Sequence, residues 1–166
     1  QGIRLINPSI GEKVIVFGLG LIGLLAVQIL KANGLKVLGI DIDPDKCALA
    51  KKFGAEIIDL SSVKNPVSTA KEMMDGKEAD AVLITASSTS NEIIHQAAQM
   101  TRKRGKIVLI GVVGLNISRD DFYEKEISFH IGGLSVLLLD FGSYRSIDSS
   151  IRTHAIFLSF VVFQSI

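Results

Sequence analysis

The chain has 166 residues, is 48% apolar and 21% charged, and carries a net charge of +1. One globular domain with a sizeable core fits those numbers, and the interspersing of acids with bases excludes an extended nucleic-acid footprint. A single cysteine, Cys47, rules out an intrachain disulfide and implies a reducing, cytoplasmic setting, and with three dispersed histidines it makes no recognisable zinc site.

No signal-peptide pattern opens the chain, which starts at Gln1 without an initiator Met and is therefore expected to be a fragment. The first predicted strand is Lys13–Phe17, followed by a helix over about Leu21–Asn33 that Gly34 stops. A second strand over Lys36–Ile40 leads to a helix over about Pro44–Phe53. Pro44 suits its first turn and Gly54 its end. Cys47 falls in that helix as a small packed residue. A short third strand, Ile57–Asp59, precedes a helix that starts at Asn65-Pro66 and ends near Asp75-Gly76.

The fourth strand is Ala79–Thr85. A run of small polar residues, Ser87 to Asn91, leads into a helix over about Glu92–Arg102. Lys103-Arg104-Gly105 reads as a turn before a fifth strand at Lys106–Ile110, and its basic run reads as a solvated helix end. Gly111 and Gly114 bracket a loop, Ser118 is placed to cap a short helix through Tyr123, and Ile127–Ile131 is the sixth strand. This alternation predicts an α/β fold, a doubly wound parallel sheet of the Rossmann type with about six strands in the order 3-2-1-4-5-6. The ligand crevice is then expected where the order reverses, between the first and fourth strands.

The dinucleotide-binding domain is assigned to residues 1–133. After Gly133 the composition changes: no Lys or Glu occurs beyond Glu126, and Ser, Ile, Leu and Phe dominate. Residues 134–166 form an atypical C-terminal tail without sustained periodicity, which a truncated or frame-shifted source would explain. Its apolar run from Ile156 to Phe163 is far shorter than the ~20 residues a membrane helix needs, so no membrane partner is expected.

The stretch Lys13–Asp41 carries the functional signal. An apolar strand meets Gly18-Leu19-Gly20-Leu21-Ile22-Gly23, a helix follows, and a second strand ends in Asp41, 18 residues after Gly23. That order is the one a dinucleotide-binding βαβ unit requires. Gly18 lets the chain turn off the strand, Gly20 lets backbone approach a pyrophosphate, and Gly23 lets the helix lie close to the sheet. The helix N-terminus offers amides and partial positive charge to the diphosphate. The Asp41 carboxylate can accept hydrogen bonds from the hydroxyls of an adenosine ribose, which favours NAD(H) over NADP(H).

The first 133 residues also resemble the cofactor domain of the zinc-type, medium-chain alcohol and polyol dehydrogenases. The resemblance rests on Pro8–Val14 before the first strand, GLGLIGLLAVQILKANG, DIDPDKCALAKKFGAE, RKRGKIVLIGVVG and EKEISF, in that order. It implies that Gly18, Leu19, Gly20, Leu21, Ile22 and Gly23 hold the pyrophosphate. Asp41 and Lys46 would hold the adenosine ribose, with Ile42 against the adenine. Lys46 reads equally well as a solvated helix lysine. Thr85 and Ala86 would lie near the nicotinamide-side ribose, although Ala-Ser-Ser-Thr-Ser departs from the family's usual small-residue-Gly ending. Gly111 and Val112 would flank the nicotinamide, or Gly111 simply ends a strand.

In that family the zinc and the proton relay lie mainly on a separate catalytic domain. Zinc is expected only there, and this chain is expected to bind cofactor without turning over substrate alone. Its implied partners are the dinucleotide, the catalytic domain of the parent chain, and a second copy through the sixth strand. Two other readings are a non-catalytic NAD(H)-sensing regulatory module and a zinc-free quinone-type reductase. The strand 5 and EKEISF segments count against the first, and Asp41 against the second.

Overall fold

The computed structural model describes residues 1–115 and 117–132, so the tail at 134–166 lies outside the described residues. Among these are six strands: β1 (Lys13–Phe17), β2 (Lys36–Asp41), β3 (Glu56–Asp59), β4 (Ala79–Ile84), β5 (Thr101–Leu109) and β6 (Ser128–Ile131). They form one all-parallel sheet in the order β3-β2-β1-β4-β5-β6, the expected doubly wound topology. Six helices accompany them: α1 (Gly2–Ile6), α2 (Leu21–Ala32), α3 (Pro44–Lys52), α4 (Pro66–Met73), α5 (Glu92–Met100) and α6 (Arg119–Tyr123). Residues Gln1–Ile131 make one compact unit.

The central strands read as unbroken apolar runs because both faces of the sheet are covered. Neighbouring residues point to opposite faces. Ile15, Phe17, Leu38, Ile40, Val82, Ile84 and Ile107 enter one buried cluster with residues of α4 and α5. Val14, Val16, Val37, Ala81, Leu83 and Val108 enter the other, with α2, α3 and Ile6 of α1. Cys47 is buried in that second cluster as expected, and burial raises its thiol pKa.

Two local expectations need correction. The segment Gly2–Ile6 is helical, where the sequence pattern marks no element. It is short, has no side-chain cap and no acid in its first turn, and is held by packing. Its one local signal is Asn7, which ends it in the left-handed conformation at φ 50. The helix expected to reach Arg102 ends at Met100, and β5 begins at Thr101. Lys103-Arg104-Gly105 is therefore not a turn between elements but an outward excursion within β5. Thr101 pairs with Ala79 and Lys106 with Ala81, and Arg104 takes φ 58 to accommodate the extra residues. Ser118 sits at the N-cap position of α6 but makes no side-chain capping bond.

Helix α6 and the chain that follows it are fastened to α5 at two points, Asp121 within α6 and Lys125 after it. The Lys125 ammonium reaches the carbonyls of Ala98, Gln99 and Thr101 at 3.2, 2.7 and 2.9 Å and the Glu78 carboxylate at 2.9 Å. A cation there satisfies carbonyls that the end of a helix leaves without partners. His95 Nδ1 lies 2.9 Å from Asp121 Oδ2, and its Nε2 lies 2.8 Å from Gln99 Nε2. The Asp121 hydrogen bond raises the His95 pKa above 6.5.

Lys125→Met should lower stability by about 1–3 kcal/mol, read as a shifted urea midpoint with unchanged slope. The His95 contribution follows from its raised folded-state pKa. It is fully present below the ordinary value of 6.5 and fades as pH rises through the higher folded value. Amide exchange in α6 should therefore quicken, relative to the central strands, as pH rises through that window once corrected for intrinsic rates. His95→Gln should abolish that dependence.

Candidate functional site

The crevice lies at the C-terminal ends of β1 and β4, where the strand order reverses. Its floor is the turn after β1. Gly18 has φ 90, and its N–H donates to Ile40 O at 2.8 Å. A Cβ on Gly18 would fall 2.6 Å from the Ala86 backbone, and one on Gly23 would fall 1.9 Å from Gly18 O. Only glycine permits those approaches, so α2 starts directly against the end of β1. Gly20 is different: a Cβ there would meet nothing within 4 Å, because the residue faces open space. It is the N-cap of α2 and supplies no side-chain capping bond to the helix amides.

Leu19 is fully buried, while Leu21 is 73% exposed at the mouth of the turn. Leu19 has room because of Gly39 in β2, where a Cβ would come within 3.0 Å of Leu19 Cδ2. Gly39 was not singled out from the sequence. The available signal was a glycine interrupting an apolar strand, which marks a close approach.

Asp41 closes β2 and spans two backbone segments. Its Oδ2 accepts the Leu19 N–H at 2.6 Å, and its Oδ1 accepts the Asp43 N–H at 2.9 Å. The acid predicted from spacing is thus tied to the glycine turn. Lys46 lies one helical turn into α3, with Nζ 3.2 Å from Asp43 Oδ2. That hydrogen bond is the leading cause holding the Asp43 carboxyl below its usual pKa. Ile42, 69% exposed, stands beside Asp41 with no apolar cover.

The far wall comes from the loops after β4 and β5. The Thr85 N–H donates to Phe17 O at 2.8 Å, and its hydroxyl lies 2.6 Å from Gly18 O, stitching β4 to the glycine turn. A Cβ on Gly111 would fall 2.0 Å from Ala86 O, so the two loops touch there. Ser87 bridges Val112, and the Ser88 N–H donates to Val112 O at 2.8 Å. Val112 keeps its side chain exposed. The structure therefore gathers Gly18–Gly23, Asp41, Ile42, Thr85, Ala86, Gly111 and Val112 at one end of the sheet, and it pairs Lys46 with Asp43.

Among the described residues, no group of three or more His, Cys, Asp or Glu side chains is placed to hold a metal ion. No helix among them is long and apolar enough to cross a membrane.

Comparison with known proteins decides the family. The model described as "Zinc-binding dehydrogenase" matches residues 22–149. The chain belongs to this zinc-binding dehydrogenase family. It is 35% identical over 112 residues to an alcohol dehydrogenase of Rhizobium meliloti, covering 68% of this chain and 32% of that protein. It is 34% identical over 113 residues to the NAD-dependent alcohol dehydrogenase of Sulfurisphaera tokodaii, again covering 32% of that protein. The chain thus spans about a third of the length of these relatives. Among solved structures, the 2R,3R-butanediol dehydrogenase of Bacillus subtilis superposes with TM-score 0.73 at 27% identity, over 87% of this chain and 44% of that one.

The two glycines divide into a structural and a surface role, which substitution separates. Gly23→Ala should cost about 1–3 kcal/mol or more, because the Gly18 carbonyl cannot retreat without disturbing β1. Gly20→Ala, at an ordinary φ of −67, should leave stability within about 0.5 kcal/mol. Chemical denaturation of the two variants checks the contrast.

Proposed function

We propose that this chain is the NAD(H)-binding part of a zinc-dependent dehydrogenase acting on an alcohol or sugar, in which hydride passes between substrate carbon and nicotinamide. Its share of that reaction is to bind and aim the cofactor. The observation that carries the reading is the bond from the Leu19 amide to Asp41 Oδ2 at 2.6 Å. That bond ties Asp41 to the glycine turn at the rim of one crevice, which supports reading the acid as the ribose contact and the turn as the pyrophosphate contact.

In this reading the pyrophosphate lies over Gly18–Gly23, against the amides at the start of α2. Asp41 receives the adenosine ribose hydroxyls and Ile42 covers the adenine. Thr85 and Ala86 border the second ribose, and Gly111 and Val112 flank the nicotinamide. The exposed apolar side chains of Leu21, Ile42 and Val112 then gain cover on binding. The NAD-dependent relative supports the choice of cofactor.

Zinc would polarise the substrate oxygen as a Lewis acid in the parent enzyme. The described residues provide no donor set for it, so no step through zinc is assigned to them. The proposed partners are the dinucleotide, the remainder of the parent chain in a cytoplasmic enzyme, and a second copy meeting the edge strand β6.

Paired dissociation constants for NADH and NADPH test the assignment. A 2′-phosphate would set added negative charge against the Asp41 carboxylate, so NADH should bind on the order of 100-fold more tightly. Asp41→Asn keeps an oxygen for the Leu19 amide and removes the charge, and should shrink the preference. No zinc-dependent oxidation of alcohols or polyols is expected from the chain by itself. Equal wild-type affinities, or robust turnover, would contradict the assignment.

A further inference from the structure

Three polar atoms of Asp43 make four contacts at the rim of the crevice. Its N–H donates to Asp41 Oδ1 at 2.9 Å, which seats it beside the acid assigned to the ribose. Its Oδ1 accepts the amides of Asp45 and Lys46 at 3.0 and 3.4 Å and so caps α3. Its Oδ2 lies 3.2 Å from Lys46 Nζ. One oxygen serves the helix and the other serves the lysine.

Lys46 is the cation of the first turn of α3; the other α3 lysines, Lys51 and Lys52, stand in its last turn. At ~1.5 Å of rise per residue those two are displaced several ångströms along the helix, away from Asp41. A phosphate on the 2′-oxygen of a ribose held at Asp41 would thus find Lys46 as the nearest α3 counter-charge.

We propose that Asp43 is a second determinant of cofactor choice, acting by holding Lys46 in an ion pair and so withholding it from a 2′-phosphate. The proposal rests on the NAD(H) reading of the site. Asp41 disfavours the phosphate directly by charge. Asp43 removes the compensation that Lys46 would otherwise supply, because the paired carboxylate and ammonium offer almost no net charge to the phosphate. Both members of the pair are partly exposed, at 47% and 37%. Solvent screening makes such a pair easy to open, so the effect is a graded bias rather than an absolute block.

The test is a double-mutant cycle read by calorimetric titration with NADH and NADPH. Asp43→Ser keeps a side-chain oxygen for capping α3, removes the charge and frees Lys46. Asp43→Asn is a second cap-competent variant for the same purpose. Either should tighten NADPH by about tenfold and leave NADH within about twofold. Lys46→Met should weaken NADPH less in the wild-type background than in the Asp43→Ser background, where it should reverse most of the gain. NADPH affinity unmoved by both Asp43 variants would overturn the proposal. An equal effect of Lys46→Met in both backgrounds would do the same, because it leaves no coupling between the pair. Wild-type binding of NADH with either of those results would leave the NAD(H) reading standing. Failure of the wild type to bind any dinucleotide would overturn both.

Discussion

The close approach of α2 to the end of β1 is the constraint on which the crevice depends. A methyl group on Gly23 would land 1.9 Å from Gly18 O, and one on Gly18 would strike Ala86 at 2.6 Å. With both side chains absent, three backbone segments converge: the glycine turn, the start of α2 and the loop after β4. The Thr85 hydroxyl and the Asp41 carboxylate then bond to that turn from either side. The polar groups that line the crevice are consequently part of what keeps the turn in place. A ligand that competes for Asp41 must replace the bond to the Leu19 amide or share the carboxylate with it.

Most of the architecture could be read from the chain because burial on both faces leaves a plain mark. Strands such as Val14–Phe17 and Ala81–Ile84 are apolar at every position, and each helix between them ends at or near a glycine. Gly34, Gly54 and Gly76 all take positive φ values there. The misreadings occurred where tertiary contacts outweigh local pattern. Residues Gly2–Ile6 form a helix held by packing on β4 and β5. The RKRG stretch carries turn chemistry yet lies inside β5, since pairing with β4 resumes at Lys106.

The candidate site was legible to a similar extent and for similar reasons. Spacing located Asp41 at the end of β2, but its bond to Leu19 depends on the path of the turn and has no sequence signature. The sequence leaves Lys46 either to the ribose or to solvent. The structure gives it Asp43, a partner visible in hindsight as an acid three residues before a lysine at a helix start. The role of Gly39 has little local signature, because it makes room for Leu19 in a contact between two strands and a turn. The chain covers about a third of its relatives' length.

Mapping backbone amide chemical shifts during titration with NADH tests the central claim most directly, because it locates binding residue by residue. The account predicts saturable shifts concentrated at Leu19–Gly23, Asp41–Asp43, Thr85–Ser88 and Gly111–Val112, with the strand ends opposite the crevice unmoved. Absence of saturable shifts, or shifts centred instead on α4 and α5, would contradict it.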